Sequence, residues 1–187
     1  MGEYSMSPTP NRDDRKLAEL ILYVAQQSLD DPFFGAVKLN KILFQAESQA
    51  YLRLGRTLTD QPYFRLENGP APQHLRPIRD ELMAAGRAGL VSQDIGPAYR
   101  PQERLVALDQ PQMNLFTADE RELIDATIAE LRPFTGTTLS ARTHRLPAWR
   151  AAKDKEVIPF ETAFLSETVT QVDLDRALDL ALEHDWA

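Results

Sequence analysis

The stretch from Val37 to Pro70 constrains the fold more than any other part of this chain. Its first half has apolar residues at helical spacing in two stripes, one of Leu39, Ile42, Leu43, Ala46 and Ala50 and one of Phe44 and Tyr51. Two stripes predict a helix over 38–54 that other elements cover on most sides. Gly55 predicts the end of this helix, because glycine readily adopts the positive φ found at many helix C-termini.

The second half of the stretch predicts a strand and a turn. Tyr63, Phe64 and Leu66 form a short β-prone run. The sequence Asn68-Gly69-Pro70 breaks that run, and apolar residues at 75, 78 and 82 then predict another helix. The unit therefore consists of a helix, a tight stop, a strand, a turn and a second helix.

The rest of the chain adds helices and a hairpin. The patterns predict a helix over 14–28, a hairpin of 90–95 with 104–108, a helix that begins at the capping box Thr117–Glu120 and ends before Pro133, and a short helix over 139–146. Pro147 is predicted to end the short helix and to leave Trp149 in the turn beyond it. These elements predict an α+β fold, mostly α-helical, in a single compact domain with a few short strands.

The composition divides the chain into a lead-in, a domain and a tail. Residues 1–13 are polar and predict a flexible lead-in, residues 14–166 hold the domain, and residues 167–187 predict an acidic amphipathic helix. This tail has an apolar stripe at 174, 178 and 182, with Asp173 and Asp179 elsewhere on its surface. Two interpretations stay open, because the stripe can pack on the domain or dock on a partner.

The net charge of −7 is concentrated near the C-terminus, where residues 161–187 contain one arginine and seven acidic residues. A chain without a basic surplus has little electrostatic attraction for nucleic acid, so a basic protein partner is favoured. No apolar run is long enough to span a bilayer, and there is no cysteine. We therefore expect a soluble cytoplasmic protein with no membrane partner, no disulfide and no thiolate metal site.

No motif predicts an enzyme, a metal site or a cofactor. The chain has three histidines but no H-E-x-x-H sequence, no histidine pair at ligand spacing and no glycine-rich phosphate loop. We expect His144 to pack against Trp149 and to hydrogen-bond to the backbone. Trp149 is expected to anchor the core, with the centre of an interface as the alternative.

A helix pair followed by a hairpin is also typical of a winged helix. In that fold Arg76, Arg79 and Arg87 would face DNA. The balanced charge of the first 110 residues and the few cations of the hairpin argue against it. A DNA-binding transcriptional regulator is therefore the alternative to a protein-binding module.

Lys38 and Lys41 lie three residues apart, beside the apolar stripe of the central helix. They can form a solvated edge with buried aliphatic stems, or a positive rim that receives an acidic group of a partner. Both interpretations place the ammonium groups at the surface.

Two blocks of this sequence resemble a known family. The first block is KLNKILFQA with the Gly55-Arg56 step and the turn NGPAP, and the second consists of Ser140, His144, Pro147, Trp149 and the pair Ile158-Pro159. In this order, over roughly residues 16–166, the chain resembles the Panacea domain, the SocA-like antitoxin domain of bacterial and phage toxin–antitoxin systems. Family members often have an aromatic residue before the Gly-Pro pair and a branched residue after it, where this chain has Asn68 and Ala71.

The resemblance implies an antitoxin that neutralises a cognate protein toxin by direct contact, without enzymatic activity. The candidates for partner contact are Lys38, Lys41, Phe44, Tyr51, Arg56, Asp173 and Asp179. The motif residues expected to be structural are Gly55, Gly69, Pro70, Ser140, His144, Trp149 and Pro159. A homodimer is compatible with the sequence, DNA would be bound if the protein represses its own operon, and a phage-associated regulatory role is a further alternative.

Overall fold

Six helices and two pairs of short strands make up the residues that the computed structural model describes, 13–94, 96–97 and 101–164. In chain order they are α1 (Asp14–Gln27), α2 (Ala36–Leu54), β1 (Tyr63–Phe64), β2 (Ala71–Pro72), α3 (Leu75–Ala84), β3 (Ala88–Gln93), β4 (Gln102–Ala107), α4 (Ala118–Leu131), α5 (Gly136–Thr143) and α6 (Pro147–Ala151). Two 3₁₀ turns, Met113–Leu115 and Phe160–Phe164, complete this part. The predicted α+β fold, mostly α-helical, is confirmed.

The helix ends carry the signals that the sequence predicted. Asp13 caps α1 by accepting a hydrogen bond from the backbone of the first turn at 2.8 Å. Gly55 ends α2 in the left-handed conformation, with φ of 70°. Thr117 and Glu120 form the predicted capping box of α4. The predicted first, central and capping-box helices are therefore confirmed.

Helix α2 lies at the centre and contacts α1, α4, α5, β2, β4 and the second 3₁₀ turn. These neighbours cover it on most sides, as its two apolar stripes predicted. The core between α1, α2 and α4 includes the fully buried side chains of Leu17, Leu20, Ile21, Leu43 and Ile124. Burial of this apolar area is the main stabilising contribution to the fold.

Strand β1 lies in the middle of a small antiparallel sheet. Tyr63 pairs with Pro72 and Phe64 with Ala71 on one side, and Val157 bridges to Phe64 on the other side. Strand β2 and the Val157 bridge were not predicted, because two proline-containing segments are poor strand signals.

Strands β3 and β4 form the predicted hairpin, with Ala88 opposite Ala107. Arg104 on β4 is buried and donates hydrogen bonds to the carbonyls of Ser28, Leu29 and Asp31. A cation is favourable there, because these carbonyls lie at and just beyond the C-terminus of α1. Arg104 thus fixes β4 against α1 and leaves β3 on the outside of the domain.

The prediction of a helix over 139–146 is wrong at both ends. Helix α5 starts earlier because Thr135 caps it, accepting from the Thr138 N–H at 3.2 Å, and it ends at Thr143. Pro147 begins α6 instead of ending a helix, since the first helical position needs no N–H donor. Trp149 consequently lies inside α6.

The predicted lead-in, apart from Asp13, and the predicted acidic C-terminal helix lie outside the described residues. Within the described ranges, no helix has both the length and the hydrophobicity that crossing a bilayer requires.

Candidate partner-binding surface

Lys38 is fully buried and does not face solvent. Its Nζ lies 2.5 Å from Oδ2 of Asp31, which is also buried, and donates a hydrogen bond to the Arg132 carbonyl at 2.8 Å. Arg132 is the C-cap of α4. The lysine therefore joins the loop after α1 to the end of α4, where a cation faces unpaired carbonyls.

Lys41 is buried as well, and its Nζ donates a hydrogen bond to the carbonyl of Asn68. Burial lowers the pKa of Lys41 to about 8, and no carboxylate within the described ranges forms an ion pair with it. Both interpretations of Lys38 and Lys41 from the sequence, a solvated edge and a positive rim, are therefore wrong. The packing of α4, α5 and the 65–70 turn over α2 is a long-range effect that helical spacing does not reveal.

The two sequence blocks of the family resemblance meet at the turn around Asn68. The Asn68 carbonyl accepts from Lys41 of the first block and from Ser140 Oγ of the second, the latter at 2.9 Å. Gly69 follows with φ of 99°, and a Cβ there would lie 2.5 Å from Thr143 Oγ1. Only glycine fits this position without displacing its neighbours.

Trp149 lies half-buried beside the same turn. Its Nε1 donates to the Leu66 carbonyl at 3.3 Å, the Arg65 guanidinium lies 4.1 Å from its ring, and the His144 ring stacks on it at 4.0 Å. The predicted contact between His144 and Trp149 is confirmed. The predicted hydrogen bond is not found at His144 Nε2, which is buried without a partner among the described residues.

Trp149 is thus not the core anchor that we expected. Its ring is held at the edge of the domain between a cation and an imidazole. His144, Ser140 and Asn68 also line a cleft of about 400 Å³ next to this stack.

An aromatic cluster connects the core to another part of the surface. Phe160 packs against Phe44, Tyr51 and Tyr63 with ring centroids 5.9, 6.4 and 5.4 Å away. Phe44 and Tyr63 are buried, whereas Tyr51 and Phe160 are half-buried. Phe44, a predicted partner contact, therefore supports the surface from beneath and does not form part of it.

Two grooves flank Phe160. One, of about 200 Å³, has the exposed Leu52 in its lining, and the other, of about 480 Å³, has the exposed Val157 and the half-buried Tyr51. Phe160 and Pro159 line both grooves, so the grooves share one ridge. We call the set Tyr51, Leu52, Val157, Pro159 and Phe160 the Phe160 surface.

Arg56 lies at the rim of the larger groove and is half-exposed. Its guanidinium is 2.5 Å from Oε1 of the buried Glu120, which Lys16 also approaches to 2.9 Å. The arginine is thereby oriented before any partner arrives. The partner-contact role of Tyr51 and Arg56 stays a prediction, and Asp173 and Asp179 lie outside the described residues.

Two of the three arginines that would face DNA in a winged helix form ion pairs with carboxylates of this chain. Arg87 binds Glu19 at 2.8 Å and Asp109 at 3.0 Å, and Arg79 binds Asp80 at 3.0 Å. These carboxylates neutralise two of the three cations. Arg76 and Arg79 lie on α3, whereas Arg87 lies beyond its end. Phosphate contacts supply most of the affinity for DNA, so this partly neutralised set of arginines is a poor DNA-binding face.

Glu47 on α2 is a fully buried carboxyl group. Burial raises its pKa from the ordinary 4.5 to about 7, although the Leu58 and Thr59 N–H groups donate to it at 2.5 and 3.3 Å. The group links α2 to the loop after Gly55. No cluster of three histidine, aspartate or glutamate side chains able to hold a metal occurs in the described part of the chain.

We expect the titration of Glu47 to appear in the stability of the protein. Its folded-state pKa is raised, so the folded protein binds the proton more tightly, and stability falls as the pH rises from about 4.5 through about 7. The loss should amount to about 3 kcal/mol. Urea unfolding of the wild type and of Glu47→Gln across this range measures it, because the variant should lack this part of the pH dependence. Identical pH profiles for both proteins would contradict the assignment.

The sequence located part of this surface. Tyr51 was found from its place on the second helical stripe, whereas Leu52, Val157 and Phe160 of the Phe160 surface were missed, as was Arg65 beside Trp149. The apolar run Val157–Phe160 was a signal that could have drawn attention to this segment. Its position beside Tyr51 depends on the bridge between Val157 and Phe64, which the sequence does not encode locally.

In a comparison with known protein families, one family model matches this chain. A family model described as an antitoxin SocA-like, Panacea domain matches residues 39–150. No curated protein and no solved structure shows a significant match to the chain.

Proposed function

Because the match covers more than half of its length, the chain belongs to the SocA-like Panacea antitoxin domain family, and we propose that it neutralises a cognate protein toxin by binding it directly. The neutralisation is stoichiometric, since the antitoxin occludes the toxin and performs no reaction on it. The cytoplasm is the proposed place of action.

The observation that supports a protein partner is the Phe160 surface. Interfaces are enriched in aromatic anchors set among pockets, and a few such residues supply most of the binding energy. Here Phe160 lies between two grooves, Tyr51 and the exposed Val157 line the larger one, and the exposed Leu52 lines the smaller one. We assign this surface to the centre of a toxin interface, which typically buries about 800 Å² on each partner.

Contacts within the domain hold Phe160 of this surface and Arg56 at its rim in place. Phe160 contacts the buried rings of Phe44 and Tyr63, and Arg56 at the rim is held by Glu120. Side chains that are already fixed lose little conformational entropy on association. The free energy of the contacts with the toxin is therefore reduced little by the entropic cost of ordering these side chains.

A rescue assay tests this function. The reading frame next to this one is expressed with and without the protein, and growth and co-purification are recorded. The neighbour should arrest growth alone, and the pair should grow and co-purify. A harmless neighbour that does not co-purify would remove the main support for an antitoxin.

The surface itself is tested with Leu52→Glu/Val157→Glu. Charges at the centre of an apolar interface should weaken toxin binding by at least ~30-fold, about 2 kcal/mol, and should abolish rescue. Both side chains are exposed, so the melting temperature should change little. Leu29→Glu, at an exposed leucine after α1, is the matched control and should bind like the wild type. Wild-type affinity of the double variant would place the interface elsewhere.

A further inference from the structure

Strand β3 has an open edge. One edge of β3 pairs with β4. Strand β4 is in turn held against the end of α1 and the loop that follows it by hydrogen bonds of Arg104 and Gln102. Within the described ranges, no strand or bridge pairs with the outer edge of β3. The backbone donors and acceptors of that edge are available to another chain.

The open edge lacks the features that usually protect one. Natural edge strands carry charges, prolines or bulges, whereas β3 reads Ala-Gly-Leu-Val-Ser-Gln and pairs with β4 without interruption. Leu90 and Val91 lie on opposite faces of the strand and are 42% and 49% exposed. Leu108, 64% exposed, lies beside Gly89 and extends the apolar area on one face.

We propose that the β3 edge binds a second copy of this chain, so that two hairpins join through antiparallel pairing of β3 with β3. In an antiparallel two-fold pair, residue i faces residue j and residue j faces residue i, so residues near the axis lie beside their own copies and a charge there would meet a like charge. No residue of β3 is ionisable. In a protein of net charge −7, an uncharged strand is where two copies can approach closely.

The joined sheet explains the exposed side chains on both faces. Pairing extends each two-stranded hairpin into a four-stranded sheet with the order β4-β3-β3-β4. Cross-strand neighbours then cover Leu90 on one face and Val91 on the other. An isolated two-stranded sheet is only marginally stable, and additional strands with an apolar face stabilise it.

Sedimentation equilibrium of the purified chain alone tests the proposal. The wild type should be a dimer at micromolar concentration, and Val91→Lys should raise the dimer dissociation constant by at least ~100-fold, because lysine is a natural edge protector. Val91→Thr keeps the β-branched shape and should remain dimeric. Leu52→Glu/Val157→Glu, on the Phe160 surface, should also remain dimeric. Circular dichroism and thermal melting establish that the variants are folded.

Two results would overturn the proposal. The first is a wild-type monomer at all concentrations tested, and the second is a dimer that Val91→Lys leaves intact. These sedimentation measurements need no toxin, so their outcome does not depend on the antitoxin function. For a monomeric chain, loss of toxin binding in Val91→Lys would show that the edge pairs with a strand of the toxin instead.

Discussion

Replacing Lys38 by methionine should lower the free energy of unfolding by about 3 to 5 kcal/mol, because it leaves the carboxylate of Asp31 buried without its cation. Both side chains of the ion pair are buried, and the Nζ–Oδ2 distance is 2.5 Å. The variant also removes the donor to the Arg132 carbonyl at the end of α4. Urea unfolding followed by circular dichroism measures the loss.

The double variant Asp31→Asn/Lys38→Met separates the charge from the packing. Removing both charges eliminates the uncompensated carboxylate, so the double variant should be more stable than Lys38→Met. The amide of asparagine can still accept the hydrogen bond that Asp31 accepts from the Phe33 N–H. A double variant less stable than Lys38→Met would show that the unpaired charge does not cause the loss.

Replacing Gly69 by alanine should destabilise the protein by at least ~3 kcal/mol. Alanine at φ of 99° is strained by about 1 to 2 kcal/mol. Its Cβ would also overlap Lys41 Nζ and crowd Thr143 Oγ1, so the hydrogen bond from the buried ammonium to Asn68 would be disturbed.

Gly55→Ala is the matched control for this prediction. Gly55 also has a positive φ, of 70°, but no atom lies within 4 Å of a Cβ placed there. In this variant the free energy of unfolding should fall only by the backbone strain of about 1 to 2 kcal/mol. Thermal melts of both variants give the difference, and equal losses would show that the crowding at Gly69 relaxes without cost.

Local signals in the sequence were sufficient for most helices. The aspartate cap of α1, the glycine stop of α2 and the capping box of α4 act within one turn, so the residues alone predict them. Thr135 and Pro147 also act locally, but Thr135 was overlooked and Pro147 was assigned to the wrong end of a helix.

The burial of charged side chains could not be predicted in this way. Lys38 and Lys41 sit beside an apolar stripe, which is ordinarily the exposed border of a helix. They are buried because Arg132 and Asn68, distant in sequence, bring carbonyls to them. The half-buried position of Trp149 is equally a long-range result, since it follows from contacts with Arg65 and Leu66.

The segment that carries Val157 is held to the domain through its backbone. The Arg65 N–H donates to the Glu156 carbonyl at 2.9 Å, and the Ile158 N–H donates to the Tyr63 carbonyl at 2.8 Å. Main-chain bonds of this kind form with almost any side chain at the exposed position between them. On the toxin interface that we propose, substitutions at 157 would therefore change which protein is recognised at almost no cost in folding, so partner choice could evolve independently of the scaffold.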